Sequence, residues 1–462
     1  MPRIKPLSWL LLLFTGLLYV FVEYSVMRHE TLTLIICLTI LFLIYLWIVR
    51  SIDDYEVSFW IAVSIGFRAS LLLALPNLSD DFYRFIWDGR LLAAGYHPFA
   101  ELPRYYIENK ANIPGINNEL FKLLNSPDYF TIYPPVNQFV FWLSAKISPQ
   151  SILGSVVVIR SLIIAAEVGS LLMIRKILKH YDLPAKNVLL YALNPLIILE
   201  LTGNLHFEAF MIFFLLASFL FLIKGKLWGS ALNFGLAICS KLIPIIFLPL
   251  LLTRLGLKRS LQFYAITAFC CMLLFLPLLS IDIISGFRES IGYYFKKFEF
   301  NASIYYIIRE WGFWKYGYNI IQTVGWRLAM YSALLILFYT LLEGIKSYSL
   351  KSIFEKLSTI SVGLKEIDSQ LLTSSLFVLF IYFAFSTIVH PWYITTLVAF
   401  SVFGRYRFAL LWSALIFITY ANYRADGFEE NLWFTAIQYV LVFGYLAYEL
   451  IAPRKVDEKS IS

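Results

Sequence analysis

Charge is scarce in this chain, and most of the usual catalytic signatures are missing. Asp, Glu, Lys and Arg make up 15% of its 462 residues, while 60% are hydrophobic and 18% aromatic. Soluble globular proteins carry about 25% charged residues, so a water-covered surface is excluded for most of this sequence. Cysteine is sparse too. Cys37, Cys239, Cys270 and Cys271 all lie in apolar runs, without a C-x-x-C or Cys/His cluster, and read as small core residues rather than zinc ligands. Five histidines are scattered along the chain. No His-Glu-x-x-His, Walker-type glycine loop or Rossmann fingerprint occurs, and no Ser/His/Asp assembly can be inferred from order alone, because a triad is a matter of geometry. The net charge is +8, but no basic stripe has nucleic-acid spacing. Nucleic acid is therefore not expected as a partner, and a positive-inside bias explains the excess.

What the chain does have is repeated near-chargeless runs of about twenty residues, the length that crosses a hydrocarbon core about 30 Å thick. They predict an all-α polytopic membrane protein, a single multi-span domain over residues 1–462 with about 13–14 transmembrane helices. Arg3 and Lys5 precede the first run, and no small-residue cleavage site follows it, so it reads as an uncleaved span rather than a signal peptide. Spans at roughly 7–27, 31–49 and 57–75 then place a large external loop at 76–131. A second external loop is expected at 281–325 and a cytoplasmic loop at 346–369. Residues 132–175 leave the parity open. Two full spans there would put the basic cluster Arg175, Lys176, Lys179 and His180 outside. Either the Tyr133-Pro134-Pro135 segment is re-entrant or the positive-inside rule fails locally.

The most polar stretch is S-D-D-F-Y-R-F-I-W-D-G-R-L-L-A-A-G-Y-H-P-F, residues 79–99. Ser79, Asp80 and Asp81 suit a helix start, and Gly95 sits where a C-terminal cap glycine belongs. Asp80, Arg84 and Asp88 fall at i, i+4 and i+8, an ion-pair ladder on one face. Asp81 lies about 100° around the helix from that ladder, which leaves it freer to act as a base toward an incoming hydroxyl. Tyr83 and Trp87 at i and i+4 suit a helix lying in the membrane interface. Further ionisable residues sit at apparent external ends: His206, Glu208, Lys241, Arg309 and His390. Each is a functional candidate set against ordinary snorkelling or a local hydrogen bond. Lys241 and Pro244 interrupt an apolar run, a break tolerated where a helix lines a cavity or is buried in protein. Asp80 and Asp81 could hold a divalent cation, although two adjacent carboxylates make a thin site.

With these residues in view, the chain resembles the GT-C superfamily of multi-span glycosyltransferases, and within it the bacterial integral-membrane mannosyltransferases that use polyprenyl-phosphate sugars. The carrying motifs are residues 79–99, Y-P-P at 133–135, L-N-P-L-I-I-L-E-L-T-G-N-L-H-F-E-A at 193–209, S-K-L-I-P at 240–244, F-N-A-S-I-Y-Y-I-I-R at 300–309 and H-P-W-Y at 390–393. The resemblance implies an inverting transfer at the external face of a cell (inner) membrane. Its donor would be a polyprenyl-phosphate hexose, with mannose favoured, and its acceptor a lipid or glycan. Carried over, the catalytic base is Asp81 or Asp80. Cationic partners for the leaving phosphate are sought among Arg84, Arg90, Lys241, Arg309 and His390. Tyr133, Asn194, His206 and Glu208 would line the sugar or acceptor side. Two features depart from the family pattern: two spans precede the one that delivers the acidic pair, and no large soluble C-terminal domain is expected, which favours a lipid or glycan acceptor over protein. The rival expectation is a transporter or flippase of lipid-linked glycans. The lack of a visible internal repeat weighs against it.

Overall fold

In a medium without water each backbone N–H and C=O must find its partner within its own segment, so apolar runs of this length fold as helices. The structure, a computed structural model, describes residues 4–279, 298–347, 369–424 and 427–452. Helices α1 (Pro6–Ser25) and α3 (Val57–Ser70) run parallel, with α2 (Thr31–Ser51) antiparallel to both. Contacts at their tips set this order. Lys5 Nζ lies 2.8 Å from Asp53 Oδ2 just ahead of α3. At the opposite tips Tyr24 donates to the Ser70 carbonyl, and Asn77 donates to the Val22 and Val26 carbonyls. The bundle thus has a Lys5 end and a far end, and three passes bring the chain to the far end at Pro76.

There residues 79–99 form α4 (Asp81–Ala93). Its C-terminus closes as a Schellman turn. Gly95 takes φ +86°, its N–H bonds the Leu92 carbonyl, and the Tyr96 N–H bonds the Leu91 carbonyl. Two short helices follow, α5 (Pro103–Glu108) and α6 (Asn118–Leu123). The Asn117 side chain caps α6 by accepting from the Leu120 N–H at 2.9 Å. The Y-P-P prolines open α7 (Pro135–Ile147), which packs along α4 so tightly that a Cβ on Gly89 would lie 2.2 Å from the Phe141 carbonyl oxygen. On the other side of α4 one expectation is corrected: Trp87 is not exposed toward an interface but fully buried, beside Phe121 of α6.

The next helix, α8 (Ile152–His180), starts at the far end. Early in it, Arg160 donates to the carbonyls of Leu71, Leu72 and Ala74 after α3 and to those of Thr202 and Gly203. Two turns later Glu167 accepts from Arg68 at 3.0 Å. At 1.5 Å per residue α8 spans about 43 Å and returns to the Lys5 end, carrying Arg175–His180 with it. The 13-residue α7 is therefore not a crossing. The parity left open at 132–175 resolves toward a Y-P-P segment that stays at the far end.

The rest of the chain shuttles between the two ends. A 3-10 turn leads into α9 (Leu189–Ala192), which meets a π-helical turn (Ile197–Gly203) across a 56° bend. Helices α10 (Glu208–Ile223) and α11 (Leu227–Ile238) form a hairpin, turned at Gly225 with φ +71°. The chain re-enters through a 3-10 turn and α12 (Leu248–Leu255), then returns along α13 (Leu257–Phe275). The Leu278 carbonyl beyond it meets His97 Nε2 at 2.9 Å. After Phe298 come α14 (Ile304–Tyr316), α15 (Ile321–Ser347), α16 (Gln370–Phe385), α17 (Ile394–Ser401), α18 (Phe408–Leu415) and α19 (Leu432–Ile451). Between α18 and α19 a minimal hairpin pairs β1 (Tyr423–Arg424) with β2 (Gly427–Phe428).

The all-α polytopic architecture is thus the observed one. Among the described residues six helical units have the length and apolarity to cross a membrane, seven if the bent pair counts as one span, and five shorter apolar helices accompany them. Among the described residues, unbroken helices of crossing length are therefore fewer than the 13–14 crossings expected, because runs such as 227–252 break at their polar or proline-bearing centres. Residues 280–297 of the expected second loop and 348–368 of the expected cytoplasmic loop lie outside the described residues. What is described of that second loop is largely helical, as α14.

Candidate active site

The helix-connecting turns at the far end bring together polar groups from distant parts of the sequence. Asp80 and Asp81 open α4, but they diverge. Asp80 is the N-cap residue, off the helical register, and its carboxylate turns to Arg28 at 2.6 Å. The expected Asp80–Arg84–Asp88 ladder is thereby corrected to a single pair, Arg84–Asp88, at 2.9 Å. The Asp81 backbone N–H reaches the Ser79 hydroxyl at 3.4 Å, and one of its carboxylate oxygens, Oδ1, accepts from Asn125 Nδ2 at 2.7 Å. Its negative charge is felt, as a lesser influence, at Tyr133, Lys241 and Tyr423. Burial, reinforced by the Asp81 charge, raises the Tyr133 hydroxyl well above its usual value.

Lys241 sits in the break between α11 and the following 3-10 turn. Its ammonium pairs with Glu208 at the start of α10 and lies 3.9 Å from the centre of the Tyr393 ring. Burial lowers its pKa, and the Glu208 carboxylate opposes that. Behind Tyr393 stands a stack of rings. The Trp392 indole lies between the His206 imidazole at 3.7 Å and the His390 imidazole at 4.4 Å, close to parallel with both. Phe300 continues the column on the other face of His390 at 4.5 Å. The column is registered by backbone bonds, Phe300 N–H to the Thr387 carbonyl and Val389 N–H to the Phe300 carbonyl. His206 Nδ1 is 2.8 Å from the Glu200 carbonyl oxygen and 3.3 Å from the Glu200 carboxylate, which also accepts from Tyr420 at 2.6 Å. Burial, then the Lys241 charge and His206, push the His390 imidazole well below its usual value, so it stands neutral.

The site thus offers a carboxylate with one oxygen held, a partly buried ammonium, and two imidazoles stacked on an indole, all at one end of a helical membrane bundle. The sequence model of the MptA_B family, described as alpha-(1->6)-mannopyranosyltransferase, N-terminal domain, matches residues 11–256, more than half of the chain. The chain belongs to this family. It is a glycosyltransferase of the mannosyltransferase class. No curated protein and no solved structure matches it. The matched part of this mannosyltransferase contains Asp80, Asp81, Tyr133, His206, Glu208 and Lys241. His390 and Trp392 reach the same site from beyond it.

Four of the residues singled out in the sequence stand apart from this cluster. The Arg84 guanidinium, besides its bond to Asp88, donates to the Ser126 and Tyr129 carbonyls. Arg90 donates to the Gly115 and Gln150 carbonyls at 2.7 and 2.8 Å. Asn194 is buried against Ser413 at 3.0 Å and accepts from the Leu196 N–H. Arg309 belongs to a separate group, bonded to Glu299 at 2.6 Å and to Glu310, and lying over the Tyr306 ring. Four residues of this cluster carried no individual expectation from the sequence: Arg28, Asn125, Glu200 and Trp392. Glu200 and Trp392 lie inside the 193–209 and 390–393 motifs. Arg28 had only its place after the first span as a signal, and Asn125 had none. Among the described residues no group of three or more His, Cys, Asp or Glu side chains could hold a metal ion.

Proposed function

We propose that this mannosyltransferase moves mannose from a polyprenyl-phosphate donor to a hydroxyl of a lipid or glycan acceptor, at the external face of a cell (inner) membrane. Asp81 is the general base. It takes the acceptor proton as the acceptor oxygen bonds to the anomeric carbon. The bond from that carbon to the phosphate oxygen breaks, and the polyprenyl phosphate leaves with the electron pair. Inversion turns a β-linked donor into the α linkage in the family's name. A phosphate gathering negative charge needs donors already in place. Lys241 is the foremost of them, oriented by Glu208, with the His390 and His206 imidazoles behind it. Arg84, Arg90 and Arg309 are engaged elsewhere and drop out of this role.

The observation that carries the reading is the packing of α4 against the start of α10: Phe85, one turn after Asp81, meets Phe207 edge-on at 5.3 Å, next to the Glu208 that pairs with Lys241. Arg175 and Lys176 near the end of α8, Lys224 and Lys226 in the α10–α11 turn, and Arg254, Lys258 and Arg259 beside the α12–α13 turn gather at the Lys5 end. By the positive-inside rule this supports an external placement for the site. The test is transfer by the purified protein in liposomes supplied with polyprenyl-phosphate mannose and a mannose-bearing glycan. The reading expects a new mannoside only with the lipid-linked donor. Transfer from a nucleotide-linked mannose instead, or translocation of the lipid-linked sugar without a new glycosidic product, would overturn it.

A further inference from the structure

The strap formed by residues 125–131 crosses the first two turns of α4 and is fastened there from below. Arg84 Nη1 donates to the Ser126 carbonyl at 3.1 Å and to the Tyr129 carbonyl at 2.8 Å, while its Nε donates to Asp88 Oδ1. The other Asp88 oxygen accepts from the Thr131 hydroxyl and from Gln138 Nε2. The Arg84 and Asp88 side chains are 3% and 0% exposed, so this fastening is out of water's reach. Carbonyl-bound guanidinium and doubly bonded carboxylate therefore fix the strap relative to the helix that starts with Asp81. Next to the fastening, Asn125 is exposed and donates to Asp81 Oδ1 at 2.7 Å. A carboxylate can only accept, so the amide nitrogen is the atom that must face it. This is the one side-chain hydrogen bond made by the Asp81 carboxylate among the described residues.

We propose that Asn125 is a positioning residue for the transfer: it holds Oδ1 of Asp81 so that Oδ2 faces the acceptor hydroxyl, and Asp88 and Arg84 set its position through the strap. The proposal rests on Asp81 being the base. Holding one oxygen removes the free spin of the carboxylate about its own axis, which matters because a base acts only from within hydrogen-bond reach of the proton it takes. It also gives the buried Arg84–Asp88 pair a function beyond local stability, although neither residue meets substrate.

The test measures kcat, donor KM and thermal unfolding for Asn125→Ala, Asn125→Asp and Asn125→Gln. Loss of a hydrogen bond to a charged group is expected to lower kcat on the order of ten- to a hundredfold, with donor KM and unfolding temperature unchanged because Asn125 is exposed. Asn125→Asp should be worse than Asn125→Ala, since it sets a like charge against Asp81. Asn125→Gln, which keeps the donor on a longer arm, should recover part of the rate. In an Asp81→Glu background the Asn125→Ala loss should shrink, because the longer carboxylate no longer sits at the amide. Wild-type kcat for Asn125→Ala alongside an inactive Asp81→Asn overturns the positioning role and leaves the base in place. A rise in KM alone also overturns it, since that marks a substrate contact. An active Asp81→Asn overturns the base itself.

Discussion

Replacing Gly89 with alanine should disable the enzyme through a single atom. The added Cβ would lie 2.2 Å from the Phe141 carbonyl oxygen and 2.7 Å from its carbonyl carbon. An ordinary carbon–oxygen contact is longer by about 1 Å, given attractive separations near 3.5 Å. The obstructing atoms are main chain in the middle of α7, so no rotamer change relieves the clash. Phe85 and Phe141 are stacked at 4.8 Å on the same face, which keeps the two helices from sliding past each other. Helix α4 must therefore lift off α7, and Asp81, two turns before Gly89, lifts with it. Overpacking of this kind costs about 1–3 kcal/mol of stability. A displacement of about 1 Å at the reacting groups costs on the order of a hundredfold in rate. The assay is thermal unfolding in detergent together with transfer at saturating donor. Gly89→Ala should unfold several degrees lower and lose most of its kcat, and Phe141→Ala should not rescue it, because the side chain is not the obstacle. A Gly89→Ala protein with wild-type unfolding temperature and rate would refute the argument that α4 is held at contact distance and that Asp81 depends on it.

Two further expectations concern charge. Asp88→Asn leaves the Arg84 guanidinium in the interior without its counter-charge, which should cost about 3–5 kcal/mol and appear as a large drop in unfolding temperature. An unchanged unfolding temperature would mean that the strap's carbonyls suffice to hold Arg84. His390 is held below the usual imidazole value of 6.5, chiefly by burial. The unfolded chain therefore takes up a proton as pH falls through 6.5 while the folded site resists it, and stability should decline on that acid side. In His390→Gln the fall in unfolding temperature between pH 7 and 5 should be shallower than in the wild type, and an equal slope would count against a buried neutral imidazole.

Much of the architecture was legible because it follows from local rules. Apolar runs became helices, and Gly95 closed α4 with a positive φ. The grouping of Asp81, Tyr133, His206, Glu208, Lys241 and His390 at one end was legible for a related reason: residues at helix breaks on the same side of a membrane have few other places to go. What was not legible depended on tertiary contact. Asp80 leaves its helical neighbours for Arg28, fifty-odd residues away, because an N-cap residue does not share the helix's register. Arg84 and Arg90 turn inward to loop carbonyls that have no sequence signature. Trp87 is buried on the side of α4 turned away from α7, beside Phe121 of α6, and whether α7 crosses stays open until α8 is seen to begin at the same end. Both faces of Trp392 are covered by imidazoles, and its pairing with His206, across 186 residues, is one that no spacing rule reports.

The central claim is that Asp81, and not its neighbour Asp80, carries the proton. It is tested most directly by comparing Asp81→Asn and Asp80→Asn in liposomes with polyprenyl-phosphate mannose and acceptor. Loss of a general base lowers the rate about 10²–10⁴-fold, so Asp81→Asn should show that loss with wild-type unfolding temperature. Asp80→Asn gives up only a partly exposed ion pair to Arg28, worth about 0–1 kcal/mol, and should keep its rate to within a few-fold. Undiminished transfer by Asp81→Asn, or the two variants exchanging these behaviours, would contradict the account.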